Sequence, residues 1–147
     1  ESGYNVINCN EMKPKGCMMP VAMDWDSPER TVIRVTFMDN WSVDDVHRML
    51  TKRNSMMECV HHQVHQILDL TASTASPNNL LSVIGRIELP NEQKGSLVLI
   101  VNASSYIKSV AGIMQKMAPH VFKGVHFLNS VEEAYAEIAH HGDYAFA

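Results

Sequence analysis

Hydrophobic and polar residues alternate strictly in two short segments, residues 21–26 and 33–37. Alternation with a period of two is typical of a β-strand that buries one face and leaves the other in water. Between these segments, residues 26–29 read D-S-P-E, a composition that favours a turn. The pattern therefore predicts an antiparallel hairpin of two strands.

Beyond the hairpin, helical periodicity alternates with short apolar runs. Helices are predicted over residues 42–59, 77–89, 105–121 and 130–138, and strands over residues 63–70, 97–101 and 125–128. The run L-V-L-I-V at 97–101 is apolar throughout, as expected of a parallel strand that is covered on both faces. The element order is β-β-α-β-α-β-α-β-α. Right-handed crossovers between these units predict an α/β fold whose sheet is mostly parallel, with one antiparallel strand from the hairpin.

The pattern indicates one domain preceded by a short extension. Residues 1–19 show little periodicity, apart from a short strand predicted at 4–7, and are interpreted as an N-terminal extension. Residues 20–147 are long enough to form a single domain with its own core. Hydrophobic residues make up 46% of the chain and charged residues 19%, which is typical of a globular protein.

The charge and the cysteine content indicate which partners and which cellular compartment to expect. The net charge is −4 and the 12 Lys and Arg residues are scattered, which argues against a nucleic-acid partner. No apolar run approaches the roughly 20 residues that span a membrane, and no signal-peptide pattern is present.

Three cysteines do not make a disulfide framework, and Cys59 is predicted to be a small buried residue at a helix end. We therefore expect a cytoplasmic protein, since the cytoplasm is reducing.

Several short motifs carry a resemblance to a known superfamily. They are Trp25-Asp26, residues 31–37, Trp41-Ser42, and residues 67–70, 97–101 and 130–134. With the element order, they resemble the STAS/SpoIIAA-like superfamily over residues 21–138, within it the branch of small uncharacterised bacterial proteins. The resemblance implies a SpoIIAA-like fold and a non-enzymatic regulatory or protein-interaction domain. Such a domain would recognise an unknown protein partner through the loop and helix after the I-L-D-L strand.

The phosphorylation switch of the anti-anti-sigma members is not matched by this chain. Their phospho-acceptor lies in an Asp-Ser pair that opens the helix after the strand. Counted from Asp69, that pair falls on Pro77-Asn78. Only Ser73 or Ser76 could substitute, and we predict that neither is phosphorylated.

Two other functions stay open at this point. Some relatives resemble the CRAL-TRIO lipid-transfer fold, which implies a small-molecule carrier for an apolar or anionic ligand. A weak hydrolase that uses Ser or His is the third alternative, although the G-x-S-x-G motif is missing. His61, His62 and His65 form H-H-x-x-H, but residues three apart on a strand face opposite sides. We therefore predict no metal site and no cofactor.

Polar residues follow the predicted strands at one edge of the sheet, which is the usual ligand edge of α/β folds. Loops at 39–42, 71–76, 102–105 and 129–130 each lead into a helix N-terminus, where exposed N–H groups favour an anion. The alternative is that each serine only caps its own helix. The candidate interaction or ligand residues are Trp41, Ser42, Asp69, Thr71, Ser73, Ser76, Asn78, Asn102, Ser104 and Ser105.

Two candidate surfaces for partners remain. Trp41 comes directly before the helix start at Ser42. We favour the interpretation that its ring packs back on that helix. The alternative is that Trp41 is exposed and anchors a partner. The strand at 21–25, if it is terminal in the sheet, leaves one row of backbone groups unpaired. Pairing of two such edges predicts a homodimer.

Overall fold

The computed structural model describes residues 20–78, 80, 96–119 and 122–145. Its strands are β1 (Val21–Trp25), β2 (Val32–Asn40), β3 (His65–Ala75), β4 (Val98–Val101) and β5 (Val125–Leu128). Its helices are α1 (Val43–Glu58), α2 (Ser105–Met117) and α3 (Val131–Ala145). The predicted extension at 1–19 and most of the helix predicted at 77–89 lie outside the described residues. Within the described ranges, no helix is long and apolar enough to cross a membrane.

The five strands form one mixed sheet in the order β1-β2-β3-β4-β5. β1 pairs with β2 in the antiparallel sense, with Val21 opposite Phe37 and Trp25 opposite Ile33. The other three pairings are parallel. The predicted α/β class, and the hairpin as the source of the antiparallel strand, are therefore confirmed. β1 is terminal in the sheet, as the homodimer would require, and the dimer itself stays a prediction.

Strand β3 is longer than its apolar run indicates. The predicted loop at 71–76 is wrong for residues 71–75, because β3 continues to Ala75. β2 also continues to Asn40 and pairs with this polar extension, with Asp39 opposite Ser73. A register irregularity follows Thr36, and Asp39 has a φ of 53° there, a conformation that Asp tolerates better than most residues. Backbone pairing with β2, rather than burial, therefore keeps residues 71–75 extended.

The two faces of the sheet are covered by different helices. Helices α1 and α2 pack on the face that carries Ile33 and Val35, and Met56 and Ile107 belong to the same core cluster. On the opposite face, α3 packs Ala134 in a cluster with other buried apolar residues, including Ile67, Leu97, Leu99 and Val101. The strand order explains this division. From β2 to β5 the chain moves across the sheet in one direction, so right-handed crossovers place α1 and α2 on the same face. Helix α3 follows the last strand, is not part of a crossover, and packs on the other face.

Side-chain caps start the helices where the sequence predicts them. Ser42 accepts a hydrogen bond from the backbone N–H of Asp45, and Asp45 accepts one from the backbone N–H of Ser42, which makes a full capping box. Ser104 caps α2 in the simpler way. At α3 the Oγ of Ser130 accepts from Glu133, whose carboxylate accepts from the Asn129 N–H at 3.3 Å. The hydroxyl half of this last cap is that of an ordinary capping box, and the carboxylate half binds the residue before the N-cap.

Cys59 corrects the cysteine prediction. It is the C-cap residue of α1, as predicted, but it is half-buried rather than buried, and it is disulfide-bonded. Its partner lies outside the described residues. Disulfides persist mainly in oxidising compartments. The cytoplasmic localisation expected from the sequence stays a prediction.

Candidate functional site

The candidate residues at the sheet edge are connected to one another by hydrogen bonds. The carboxylate of Asp69 accepts from the N–H and the hydroxyl of Thr71, at 3.0 and 2.6 Å, and lies 3.8 Å from Arg34. The amide of Asn102 donates to the Thr71 hydroxyl at 2.7 Å. Asn102 directly follows β4 and has a φ of 57°, a conformation that Asn adopts more readily than most residues. These contacts tie β2, β3 and the start of the β4–α2 connection together.

Trp41 is buried in the core and is not an exposed anchor. Its side chain is 5% exposed, and its ring meets that of Phe37 edge-on with centroids 4.9 Å apart. The indole N–H donates to the hydroxyl of Ser73 at 2.8 Å. Val46, one turn into α1, belongs to the same cluster. The alternative of a partner anchor is therefore wrong, because the ring is not accessible.

The remaining edge candidates have structural roles or no contact of note. Ser42 and Ser104 cap α1 and α2, and Ser105 is an exposed first residue of α2. The carbonyl of Asn78 accepts from the Tyr106 hydroxyl at 2.9 Å. Ser76 is half-buried. The structure therefore does not gather the ten candidates around a single ligand position.

An apolar cavity of about 130 Å³, partly open to the surface, lies between the sheet and helices α1 and α2. Strands β2, β3, β4 and β5 form its floor. The two helices line it as well, for example with Met49 of α1 and Ile107 of α2. Of the ten edge candidates, Trp41 also lines it. Among the described lining residues, only the indole N–H of Trp41 and the side chains of Arg53 and Gln66 bring polar groups to the wall. A ligand here would meet a nearly complete hydrocarbon surface.

Arg53 and Gln66 were not among the residues predicted from the sequence. Arg53 falls on the apolar stripe of α1, one turn after Met49 and one turn before Met57. Gln66 has the same parity in β3 as Leu68 and Leu70, which face the cavity. The sequence does contain a signal for each residue. Arg53 is a charged residue on the inward stripe of a helix, and Gln66 is an amide on the inward face of a strand.

The three clustered histidines do not converge on a metal. The ring of His62 lies 2.7 Å from the carbonyl of Arg30, whereas His65 is buried at the start of β3. Within the described ranges no group of three or more His, Cys, Asp or Glu side chains is placed to hold a metal ion. His65 instead accepts a hydrogen bond on Nδ1 from the backbone N–H of Leu97 at 2.9 Å. Its proton therefore lies on Nε2.

Folding should become weaker as the pH falls, because of His65. Burial lowers the pKa of His65 below its ordinary value of 6.5, and the nearby His141 ring acts in the same direction. The unfolded chain thus binds more protons below pH 6.5, so the free energy of unfolding falls there, by at most about 1.4 kcal/mol per pH unit. Denaturant unfolding between pH 7.5 and 5 measures this loss. In His65→Asn, whose side-chain oxygen can replace Nδ1 as acceptor, the loss should be smaller.

The exposed His126 on β5 provides the matched control. His126→Asn should keep the pH dependence of the wild type. Equal pH dependence in the wild type and His65→Asn would show that His65 is not responsible.

No protein-family model matches this chain, and no curated protein matches it.

Proposed function

We propose that this protein is a non-enzymatic carrier that binds a small apolar molecule in the cavity between the sheet and helices α1 and α2. The observation that carries the proposal is the cavity itself, about 130 Å³ with almost entirely apolar walls. Protein interiors are normally packed as densely as organic crystals. A ligand that fills the cavity gains the van der Waals contacts that its apolar walls otherwise lack.

The size and the wall chemistry indicate the kind of molecule. Engineered cavities of about 150 Å³ with Leu, Ile and Phe walls stay dry and bind benzene. The cavity here is close to that volume, and Phe37, Leu70 and Ile100 are among its described lining residues. The apolar part of the ligand is therefore about the size of a benzene ring.

The family resemblance and its interaction function stay predictions. The mixed sheet with one antiparallel edge strand is compatible with a SpoIIAA-like fold. The recognition helix on which the interaction function depends falls at 77–89, of which residues 77, 78 and 80 are described. The carrier function rests on described residues, and for this reason we favour it.

Binding of benzene tests the carrier function. Benzene at ten times its dissociation constant should raise the free energy of unfolding of the wild type by about 1.4 kcal/mol. Ala111 is buried on α2 and lines the cavity, so the larger side chain of Ala111→Leu should occupy the ligand's space and abolish the effect. Denaturant unfolding and chemical shifts of the cavity methyl groups report binding.

The neighbouring Gly112 supplies the control for this experiment. A Cβ atom at Gly112 would meet nothing within 4 Å, and Gly112 does not belong to the described lining. Gly112→Ala should bind benzene as the wild type does. Benzene binding that persists in Ala111→Leu would mean that the molecule binds elsewhere, which would remove the basis of the proposal.

A further inference from the structure

Gln66 is a buried amide that faces the cavity. It is the second residue of β3, it is 2% exposed, and it lines the cavity wall. Its backbone N–H is satisfied, since it donates to the carbonyl of Leu97 at 2.9 Å. For the side-chain nitrogen Nε2, the described part of the chain offers no hydrogen-bond partner. A buried N–H without an acceptor is costly, so a molecule in this cavity gains affinity by bringing an acceptor to Nε2.

The side chains beside Gln66 on the sheet are hydrocarbon. Gln66 lies opposite Ile33 of β2 and Val98 of β4, and Val98 lies opposite Val125 of β5. Residues that lie opposite one another in adjacent strands point to the same face, so these three residues are the neighbours of the amide along its row. The next inward row consists of Val35, Leu68, Ile100 and Phe127. No other side chain in these two rows carries an oxygen or nitrogen atom.

The other polar side chains of the described wall donate hydrogen bonds and do not accept them. The indole of Trp41 has a single N–H, which donates to the hydroxyl of Ser73 at 2.8 Å. The guanidinium of Arg53 carries only donors, and its Nε and Nη2 atoms donate to the Asn54 side-chain oxygen at 3.3 and 3.0 Å. Neither side chain can be the acceptor for Nε2, which leaves that role to a bound molecule.

We infer that the ligand is a small, neutral, apolar molecule with one acceptor oxygen, such as an aldehyde or a ketone, and that this oxygen accepts a hydrogen bond from Gln66 Nε2. This inference rests on the proposed carrier function and specifies its ligand class. The acceptor is neutral, because one amide N–H does not offset the cost of moving a carboxylate from water into apolar surroundings. A water molecule at Nε2 would need two to four polar partners, and the two strand rows around the amide supply no other.

Four small probes test this ligand class by titration. Toluene has no acceptor, benzaldehyde has a neutral carbonyl, pyrrole has an N–H donor and no strong acceptor, and benzoate has a carboxylate. We expect the wild type to bind benzaldehyde more tightly than benzoate. The side chain of Gln66→Met keeps its length and loses the donor, so benzaldehyde affinity should fall about 3–10-fold. Toluene offers nothing to the amide, so it should bind this variant and the wild type with similar affinity, which reports that the variant is folded.

The exposed Gln63 provides the matched control. Gln63→Met makes the same chemical change three residues earlier, at a position that does not belong to the described lining of the cavity. This variant should bind benzaldehyde and toluene as the wild type does.

The outcomes separate the ligand class from the carrier function. Toluene binding that Ala111→Leu abolishes keeps the carrier, whatever the other probes do. Unchanged benzaldehyde affinity in Gln66→Met would then overturn the hydrogen bond from Nε2. Pyrrole affinity that falls as far as that of benzaldehyde would mean that the amide presents its oxygen to the cavity, which contradicts an acceptor ligand. Benzoate that binds at least as tightly as benzaldehyde would overturn the neutral class. Failure of all four probes to bind the wild type would overturn both proposals together.

Discussion

Gly124→Ala is expected to lower the free energy of unfolding by about 2–3 kcal/mol, because the new methyl group has no room. Gly124 lies just before β5, and its carbonyl accepts a hydrogen bond from the N–H of Val98 at 2.9 Å. This pairing brings the backbone of Gly124 against the buried Ser96. A Cβ atom built on Gly124 collides with the carbonyl oxygen of Ser96. Backbone cannot rotate away as the end of a side chain can, so β5 must move and its pairing with β4 weakens.

The same substitution at Gly112 should have the opposite sign. Gly112 lies within α2, where alanine is favoured over glycine by about 0.5–1 kcal/mol and where an added Cβ meets nothing within 4 Å. Urea unfolding of both variants, extrapolated to water, measures the two changes. If Gly124→Ala were as stable as the wild type, β5 could not approach Ser96 as closely as the structure shows.

Reduction of the disulfide at Cys59 is expected to cost about 2–4 kcal/mol of stability. The disulfide restrains the unfolded chain, so breaking it increases the entropy of the unfolded state. Cys59 ends α1 and is followed by the buried Val60, so the restraint is attached directly to the core. Urea unfolding with and without reductant measures the difference.

A thiol count gives an independent measurement of the same bond. The chain has three cysteines, so the unreduced, denatured protein should show one alkylated thiol by mass spectrometry and the reduced protein three. Reduced wild type and Cys59→Ser kept in reductant should unfold at similar urea concentrations. Three reactive thiols before reduction would contradict the disulfide.

Local pattern was sufficient to predict the α/β class and the hairpin in the described part of the chain. Alternation in residues 21–25 and 33–37 predicted the hairpin, and the capping residues Ser42 and Ser104 marked two helix starts. These signals are local, because a strand's inward face and a helix's first turn depend on neighbouring residues. For the same reason, the apolar run at 97–101 identified a central strand without knowledge of its neighbours.

Local pattern did not predict where β3 ends. Thr71 and Ser73 have turn-forming side chains and no apolar alternation, so the sequence favoured a loop there. The pairing partner that extends them is β2, more than 30 residues earlier in the chain. Backbone hydrogen bonds do not depend on the side chains, so pairing between distant segments produces no periodic pattern in either sequence.

The candidate site depended most on tertiary structure. The sequence alone predicted the α/β class, the hairpin, the helix starts and the polar character of the strand ends. Only the packed structure decided that Trp41 is buried, that Cys59 is bonded, and that Arg53 and Gln66 face one cavity. A cavity is the space left when several elements meet, so its shape belongs to no single segment. Its volume follows from how α1, α2 and four strands fit together, and each residue's role in it follows from that fit.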